Sequence, residues 1–268
     1  MIVYPNAKIN LGLNIYNQLE SGYHELQSFF LPIPIYDCLE IKKIDSVTDF
    51  KYASSGISID GGISSCEQVF QLLKTDFDIP NVSMHLHKQI PIGAGLGGGS
   101  ADASFALLEL NRLFDLGLSI EQLKTYAKII GADCPFFIEN TCQFVTGIGE
   151  KMTPVDASAL KGKWLVLIYP NQHISTKMAY SNLKINTKQE WSNFEIADFE
   201  SYKSVLINDF ETQFLDSHPE FNQIKLDLYA KGAFYASMSG SGSAHFGLFH
   251  QKPSFKTILN YKLSLCQL

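Results

Sequence analysis

Over residues 5–16 apolar side chains fall at every second position: Ile9, Leu11, Leu13 and Ile15 share one face, and Lys8, Asn10, Gly12 and Asn14 share the other. That period of two predicts a strand, and the plain reading of its polar face is that water covers it. Strands are expected again over 26–34, 37–43 and 82–90, with a turn at Ser21-Gly-Tyr-His-Glu25. A helix is predicted over 66–77. Ser100 is placed to cap a second helix with the stripe Ala103, Ala106, Leu107, Leu110 and Phe114. Ser119 starts a third, which packs Ile120, Leu123, Tyr126, Ala127 and Ile130 and ends at Gly131. Short strands are expected at 136–138 and 143–145, then a turn at Gly147-Ile-Gly-Glu150.

Residues 154–163 read as a connection, which divides the chain into 1–155 and 156–268. The second part opens with an apolar strand over 164–169 and a helix starting at Ser175-Thr176, followed by an irregular polar stretch over 182–198. Helices near 202–215 and 219–231 precede a strand at 233–238. The glycine turn Ser239-Gly-Ser-Gly-Ser243 leads into a strand over 244–249, and a last helix is predicted from about 254 to 265. Helices and strands interleave without regular βα alternation, so the expected fold class is α+β.

A chain of 268 residues has room for one large or two medium domains. Its 46% hydrophobic and 18% charged residues are ordinary for a globular protein. No apolar run is long enough to span a membrane, and the first residues lack a secretory layout, so a soluble cytoplasmic protein without a membrane partner is expected. The net charge of −6 argues against a broad nucleic-acid surface. An anionic ligand would have to be held by a few local cations and main-chain amides. The five cysteines are odd in number and show no metal-ligand spacing, so they read as reduced thiols, with Cys134 a small packing residue before it is a nucleophile. His85 and His87 alternate along one strand face; with no third ligand evident, exposed strand residues are the better reading than a metal site.

The run Pro91-Ile-Gly-Ala-Gly-Leu-Gly-Gly-Gly-Ser-Ala-Asp102 changes the picture most. Glycines crowded between a strand and a helix admit positive φ and let main-chain amides approach a ligand. The helix start adds unpaired N–H groups and a positive dipole end, which together favour a phosphate. Gly93, Gly95 and Gly98 also satisfy the dinucleotide fingerprint, with Asp115 near the ribose distance, but that fingerprint belongs to an early βαβ unit and does not open with a proline. A Walker loop needs Lys-Ser/Thr after its last glycine, where this chain has Ser100-Ala101 and carries Lys88 upstream. A flexible linker would be polar throughout, whereas Ile90, Ile92 and Leu96 bracket this run.

The run resembles the phosphate-binding signature of the GHMP kinases, and the order of the other segments agrees. An early lysine-bearing strand precedes the loop and helix, and the late turn Met238-Ser-Gly-Ser-Gly-Ser-Ala244 follows. The segments Pro5-Asn-Ala-Lys-Ile-Asn-Leu-Gly-Leu-Asn14, Gly22-Tyr-His-Glu-Leu26, Gly131-Ala-Asp-Cys-Pro-Phe-Phe137 and Asn208-Asp-Phe-Glu211 resemble the branch whose acceptor is a cytidyl diphosphate of methylerythritol. The resemblance implies a two-domain fold, an N-terminal α/β sandwich like ribosomal protein S5 and a C-terminal ferredoxin-like α+β domain. It also implies phosphorylation of the acceptor's 2-hydroxyl by ATP, with Mg2+ accompanying the nucleotide, in non-mevalonate isoprenoid biosynthesis.

Residue by residue, the resemblance makes Asp133 the general base and Lys8 the cation that offsets charge on the transferred group. It assigns ATP to Lys88, Pro91, Ile92, Gly93, Ala94, Gly95, Leu96, Gly97, Gly98, Gly99, Ser100 and Ala101. A solvated strand-end lysine is the other reading of Lys88, and helix capping the other reading of Ser100. Asn10, Tyr23, His24, Thr176 and Tyr180 are expected at the acceptor, with Tyr23 and Tyr180 on the two faces of the cytosine. One departure is Asp60-Gly-Gly-Ile-Ser-Ser-Cys66, where these kinases carry an Asp-Asn-Leu-like segment near adenine, so the adenine contacts stay open. Another GHMP kinase with a mevalonate-type substrate, or a non-catalytic nucleotide-binding protein, would also keep the glycine loop.

Overall fold

The computed structural model describes residues 1–44, 49–59, 62–170, 172, 179–180, 183, 185–254 and 261–268. The chain forms two compact units, each built from separate segments. One comprises Met1–Ala7, Ile35–Ile92 and Gly97–Thr141; the other comprises Lys8–Pro34, Gly93–Leu96 and Cys142–Leu268. The glycine run therefore contributes residues to both.

The first unit is a four-stranded sheet in the order β1-β4-β6-β5, with β1 (Ile2–Val3), β4 (Cys38–Lys43), β5 (Lys51–Gly56) and β6 (Val82–Lys88). Along β6 the period of two is strict: Val82, Met84 and Leu86 are buried while His85 and His87 are exposed. The buried face meets α1 (Ser65–Asp76), α2 (Gly98–Phe114) and α3 (Ile120–Ile130), whose Val69, Phe70, Leu107, Leu110 and Leu123 join one core. Ser64 with Glu67, and Ser119 with Gln122, close reciprocal capping boxes that set the starts of α1 and α3.

Two expectations for this unit are corrected. Ser100 does not cap α2: the helix starts earlier, at Gly98, from Gly97 with φ +69°, and no side chain caps it. A left-handed glycine turns the chain into the helix, which leaves Ser100 inside the first turn. Residues 136–138 are not a strand but part of α4 (Cys134–Glu139). A short apolar run has no period of its own, and Pro135 in the first turn suits a helix start. The polar strand β5 escaped the pattern because it carries no apolar alternation.

The second unit holds two sheets, β2-β3-β7-β8 and β10-β11-β9-β12. The first uses β2 (Asn6–Gln18), β3 (His24–Tyr36), β7 (Gln143–Thr146) and β8 (Lys151–Pro154). In the second, β9 (Trp164–Tyr169) lies between β11 (His245–Phe249) and β12 (Lys262–Gln267), antiparallel to both, with β10 (Tyr235–Met238) outside β11. Lys262–Gln267 thus corrects the expected last helix. Pairing with the buried apolar run of β9 satisfies its backbone groups, and residues 255–260 lie outside the described residues. The helix expected near 202–215 is two pieces, α5 (Tyr202–Val205) and α6 (Asp209–Ser217), broken where Ile207 turns its carbonyl to the N–H of Leu13. Pro219–Phe221 is a single tight turn before α7 (Asn222–Ala230). The predicted helix start at Ser175-Thr176 lies outside the described residues. Among those residues, no helix is long and apolar enough to cross a membrane.

Candidate functional site

In the second unit, Gly93–Leu96 lies directly against the turn at 239–243. Gly95 has φ +78°, and a Cβ there would collide with the carbonyl oxygen of Ser239, so only glycine fits. The Ser239 hydroxyl donates to the Gly95 carbonyl at 2.9 Å, and the Ala244 N–H donates to the Ala94 carbonyl at 3.1 Å. Asn208, fully buried, donates from Nδ2 to the carbonyls of Met238 (2.8 Å) and Gly240 (2.9 Å) while its Oδ1 caps α6 by accepting the Phe210 N–H. Two glycine segments far apart in the chain are thereby held as one structure.

Lys8 and Asn10 belong to the same assembly. The main-chain N–H of Lys8 donates to the Leu96 carbonyl at 2.9 Å, and its Nζ donates to Asn10 Oδ1 at 2.6 Å while lying 4.5 Å from the centroid of the Phe30 ring. Asn10 donates from its main chain to Ser239 Oγ (3.3 Å) and from Nδ2 to Ser28 Oγ (3.0 Å), which in turn donates to the Gly12 carbonyl. The polar face of β2 is therefore not solvated. Lys8 is 3% and Asn10 2% exposed, buried against polar groups from distant segments.

In the first unit, the end of the glycine run stands beside the turn that carries Asp133. The Ser104 hydroxyl shares its proton between the carbonyls of Ser100 (2.8 Å) and Cys134 (2.7 Å), tying α2 to α4. The nearby Ser100 hydroxyl offsets part of the effect of burial on the Cys134 thiol. Asp133 is half-buried and immediately precedes α4. Burial pushes the Cys134 thiol up to about 11, so it stays protonated and inert, as the packing reading requires. Lys88 is not a solvated strand-end lysine: it is buried and paired with Asp37 and Asp102.

Toward the expected acceptor residues, the rings of His24 and Tyr180 have centroids 5.0 Å apart, and Tyr180 meets Phe210 edge-on at 4.9 Å. Tyr23 is 62% exposed. Thr176 lies outside the described residues. His85 and His87 are exposed, and both hydrogen-bond the Ser55 hydroxyl. Sequence reasoning missed Asp37, Ser28 and Ser104. None sits in a motif, and each acts on residues far along the chain or through its own side chain alone.

The GHMP kinases N terminal domain matches residues 64–140, and the GHMP kinases C terminal domain matches 182–261. A homoserine kinase from Cytophaga hutchinsonii superposes with a TM-score of 0.72 at 14% identity, covering 99% of this chain and 93% of that one. The fold is that of the GHMP kinases, the α+β class expected above. Within that class, a 4-diphosphocytidyl-2-C-methyl-D-erythritol kinase from Azobacteroides pseudotrichonymphae is 45% identical over 99% of this chain and 98% of its own. Its counterpart from Parabacteroides distasonis is 44% identical over 96% and 94%. A crystal structure of 4-(cytidine 5'-diphospho)-2C-methyl-D-erythritol kinase superposes with a TM-score of 0.80 at 28% identity, covering 94% of this chain and 91% of that one. The chain belongs to the 4-diphosphocytidyl-2-C-methyl-D-erythritol kinase family.

Proposed function

We propose that this protein transfers the γ-phosphoryl group of ATP to the 2-hydroxyl of 4-diphosphocytidyl-2-C-methyl-D-erythritol, giving the 2-phosphate and ADP in non-mevalonate isoprenoid biosynthesis. The observation that carries the reading is the locked pair of glycine segments joined by Ser239 and Gly95, set within a chain that matches its relatives almost end to end. Phosphoryl transfer asks for alignment and for stabilisation of charge on the transferred group. The N–H groups of the stretch from Gly93 through Ser100 supply donors for phosphate oxygens where glycines leave the main chain open, with Pro91, Ile92 and Ala101 flanking it. Ser100, in the first turn of α2, offers its hydroxyl to the nucleotide.

Asp133 takes the proton of the 2-hydroxyl as its oxygen bonds to the γ-phosphorus. The bond from that phosphorus to the bridging oxygen breaks, and ADP leaves with the electron pair. Lys8 offsets the negative charge on the transferring group. Asn10, Tyr23, His24, Thr176 and Tyr180 hold the cytidyl part, and Lys88 serves the nucleotide. Among the described residues no three His, Cys, Asp or Glu are grouped to hold a metal. Mg2+ would arrive on ATP, drawing most of its oxygen ligands from phosphate and water. The cytoplasm, where thiols stay reduced, suits the five cysteines, which are free in the structure. A domain division into 1–155 and 156–268 leaves one matched kinase segment on each side.

A mevalonate-type kinase would keep the loop but has no need of His24 and Tyr180 side by side. The deciding experiment is phosphate transfer from labelled ATP with Mg2+, offering the cytidyl substrate beside a panel of mevalonate-type alcohols. Transfer to the cytidyl substrate is expected; transfer only to the other alcohols overturns the assignment.

A further inference from the structure

Asp37, Lys88 and Asp102 form a buried ion triad in the first unit, with side chains 0%, 3% and 3% exposed. Lys88 Nζ donates to Asp102 Oδ2 at 2.7 Å and to Asp37 Oδ2. The other oxygen of Asp37 accepts the main-chain N–H groups of Gln89 (2.5 Å) and Ile90 (2.9 Å), the two residues that lead into Pro91. Asp102 lies in the opening turns of α2, where the glycine run ends. At that end a Cβ on Gly98 would stand 2.9 Å from Lys88 Nζ, so the ammonium sits directly beneath the helix start. The backbone of Lys88 is gripped as well: its carbonyl accepts the Ile57 N–H at 2.9 Å, and a side chain on Gly56 would collide with that carbonyl.

A buried ion pair is weak as a source of stability, because desolvation offsets most of its attraction, so well-packed apolar residues would serve a core at least as well. Directional bonds to both ends of a loop are something apolar residues cannot supply. Two carboxylates also face one ammonium here. Burial pushes the Asp102 carboxyl up to about 7 against the pull of Lys88, and its Oδ1 has no hydrogen-bond partner. Near neutral pH Asp102 therefore carries a proton for part of the time, which lowers the surplus negative charge of the triad.

We propose that Asp37, Lys88 and Asp102 are positioning residues for the nucleotide phosphates: they fix the entry and the exit of the glycine loop, and Lys88 acts on ATP through the loop without touching it. This role rests on the ATP reading of the loop, which calorimetric titration of the wild-type enzyme with ATP tests separately.

In the wild-type enzyme, Lys88 should resist an amine-reactive acylating reagent, followed by mass spectrometry, whether or not ATP is present. Labelling of Lys88 in the ATP-free enzyme, shielded by ATP or not, overturns the proposal while leaving ATP binding intact. A double-mutant cycle gives the second measurement. Lys88→Met should raise the KM for ATP at least about tenfold and leave the KM for the cytidyl substrate within about twofold, a split that general loosening of the fold would not produce. In an Asp37→Asn/Asp102→Asn background, Lys88→Met should change the KM for ATP by less than about twofold, because its partners are already neutral. An equal loss in both backgrounds means that Lys88 touches the nucleotide and overturns the positioning role.

Discussion

The hydroxyl of Ser239 donates to the carbonyl of Gly95, so the late glycine turn braces the first glycine run from a position 144 residues further along the chain. The brace requires backbone against backbone. Gly95→Ala forces a methyl group into the Ser239 carbonyl at a residue with φ +78°. Strain of this kind costs about 1–3 kcal/mol before any steric term. The KM for ATP should rise at least about tenfold, with a lowered urea midpoint. A variant with wild-type KM would show that the loop does not hold phosphate in this conformation.

Asp133→Asn should lower kcat by about 10²–10⁴-fold, the usual worth of a positioned general base. Its melting temperature should stay within about 3 °C of wild type. Because Lys8 is buried with its ammonium 4.5 Å from the centroid of the Phe30 ring, Lys8→Met is a better probe than alanine. It keeps the stem and removes the charge. Steady-state rates near normal in either folded variant would sink the assigned role.

Tyr180 packs beside His24 and edge-on against Phe210. Aromatic contacts of this type are worth about 0.5–1.5 kcal/mol, which is up to about tenfold in affinity. Tyr180→Ala should therefore raise the KM for the cytidyl substrate by about that factor, with little change for ATP. An unchanged KM refutes the cytosine contact.

His245, at the start of β11, is 1% exposed, with Nδ1 3.0 Å from the Ser243 carbonyl and Nε2 unpartnered. Burial pushes its imidazole down to about 4, with Lys225 adding to the effect. The unfolded chain, with an ordinary histidine near pH 6.5, binds more protons between those values, so the stability contributed here falls as pH drops from about 6.5 to 4. The slope is at most about 1.4 kcal/mol per pH unit. Asp102 has the opposite sign: its raised carboxyl favours the folded state at low pH, and that contribution is lost as pH rises from about 4 to 7. Urea unfolding of His245→Leu should therefore show stability that declines with rising pH across this window, where wild type is flatter. A His245→Leu profile parallel to wild type would mean that the imidazole titrates normally.

Much of the architecture was legible wherever local periodicity or backbone chemistry decides the outcome. The alternation over β2, β3 and β6 marked real strands, and Ser119 with Gln122 closes the cap expected of Ser119. Where a run is only three or four residues long, as at 136–138 and 262–265, its own pattern does not settle the element and the neighbours choose between helix and strand. Pro135 opened one as α4, and pairing with β9 drew the other into a sheet.

The glycine run and the helix after it could be read from the chain alone, because crowded glycines and a helix start are both local properties. The same pattern separated the faces of β2 without saying what covers the polar one. Period-two alternation reports that two faces differ in chemistry, and water satisfies a lysine or asparagine as well as a distant serine does. Tertiary structure decided that Lys8 and Asn10 are buried, that Ser239 braces Gly95, and that Lys88 sits between Asp37 and Asp102. Each of these rests on a hydrogen bond or ion pair between residues remote in the chain, whose worth depends on burial that no local pattern encodes.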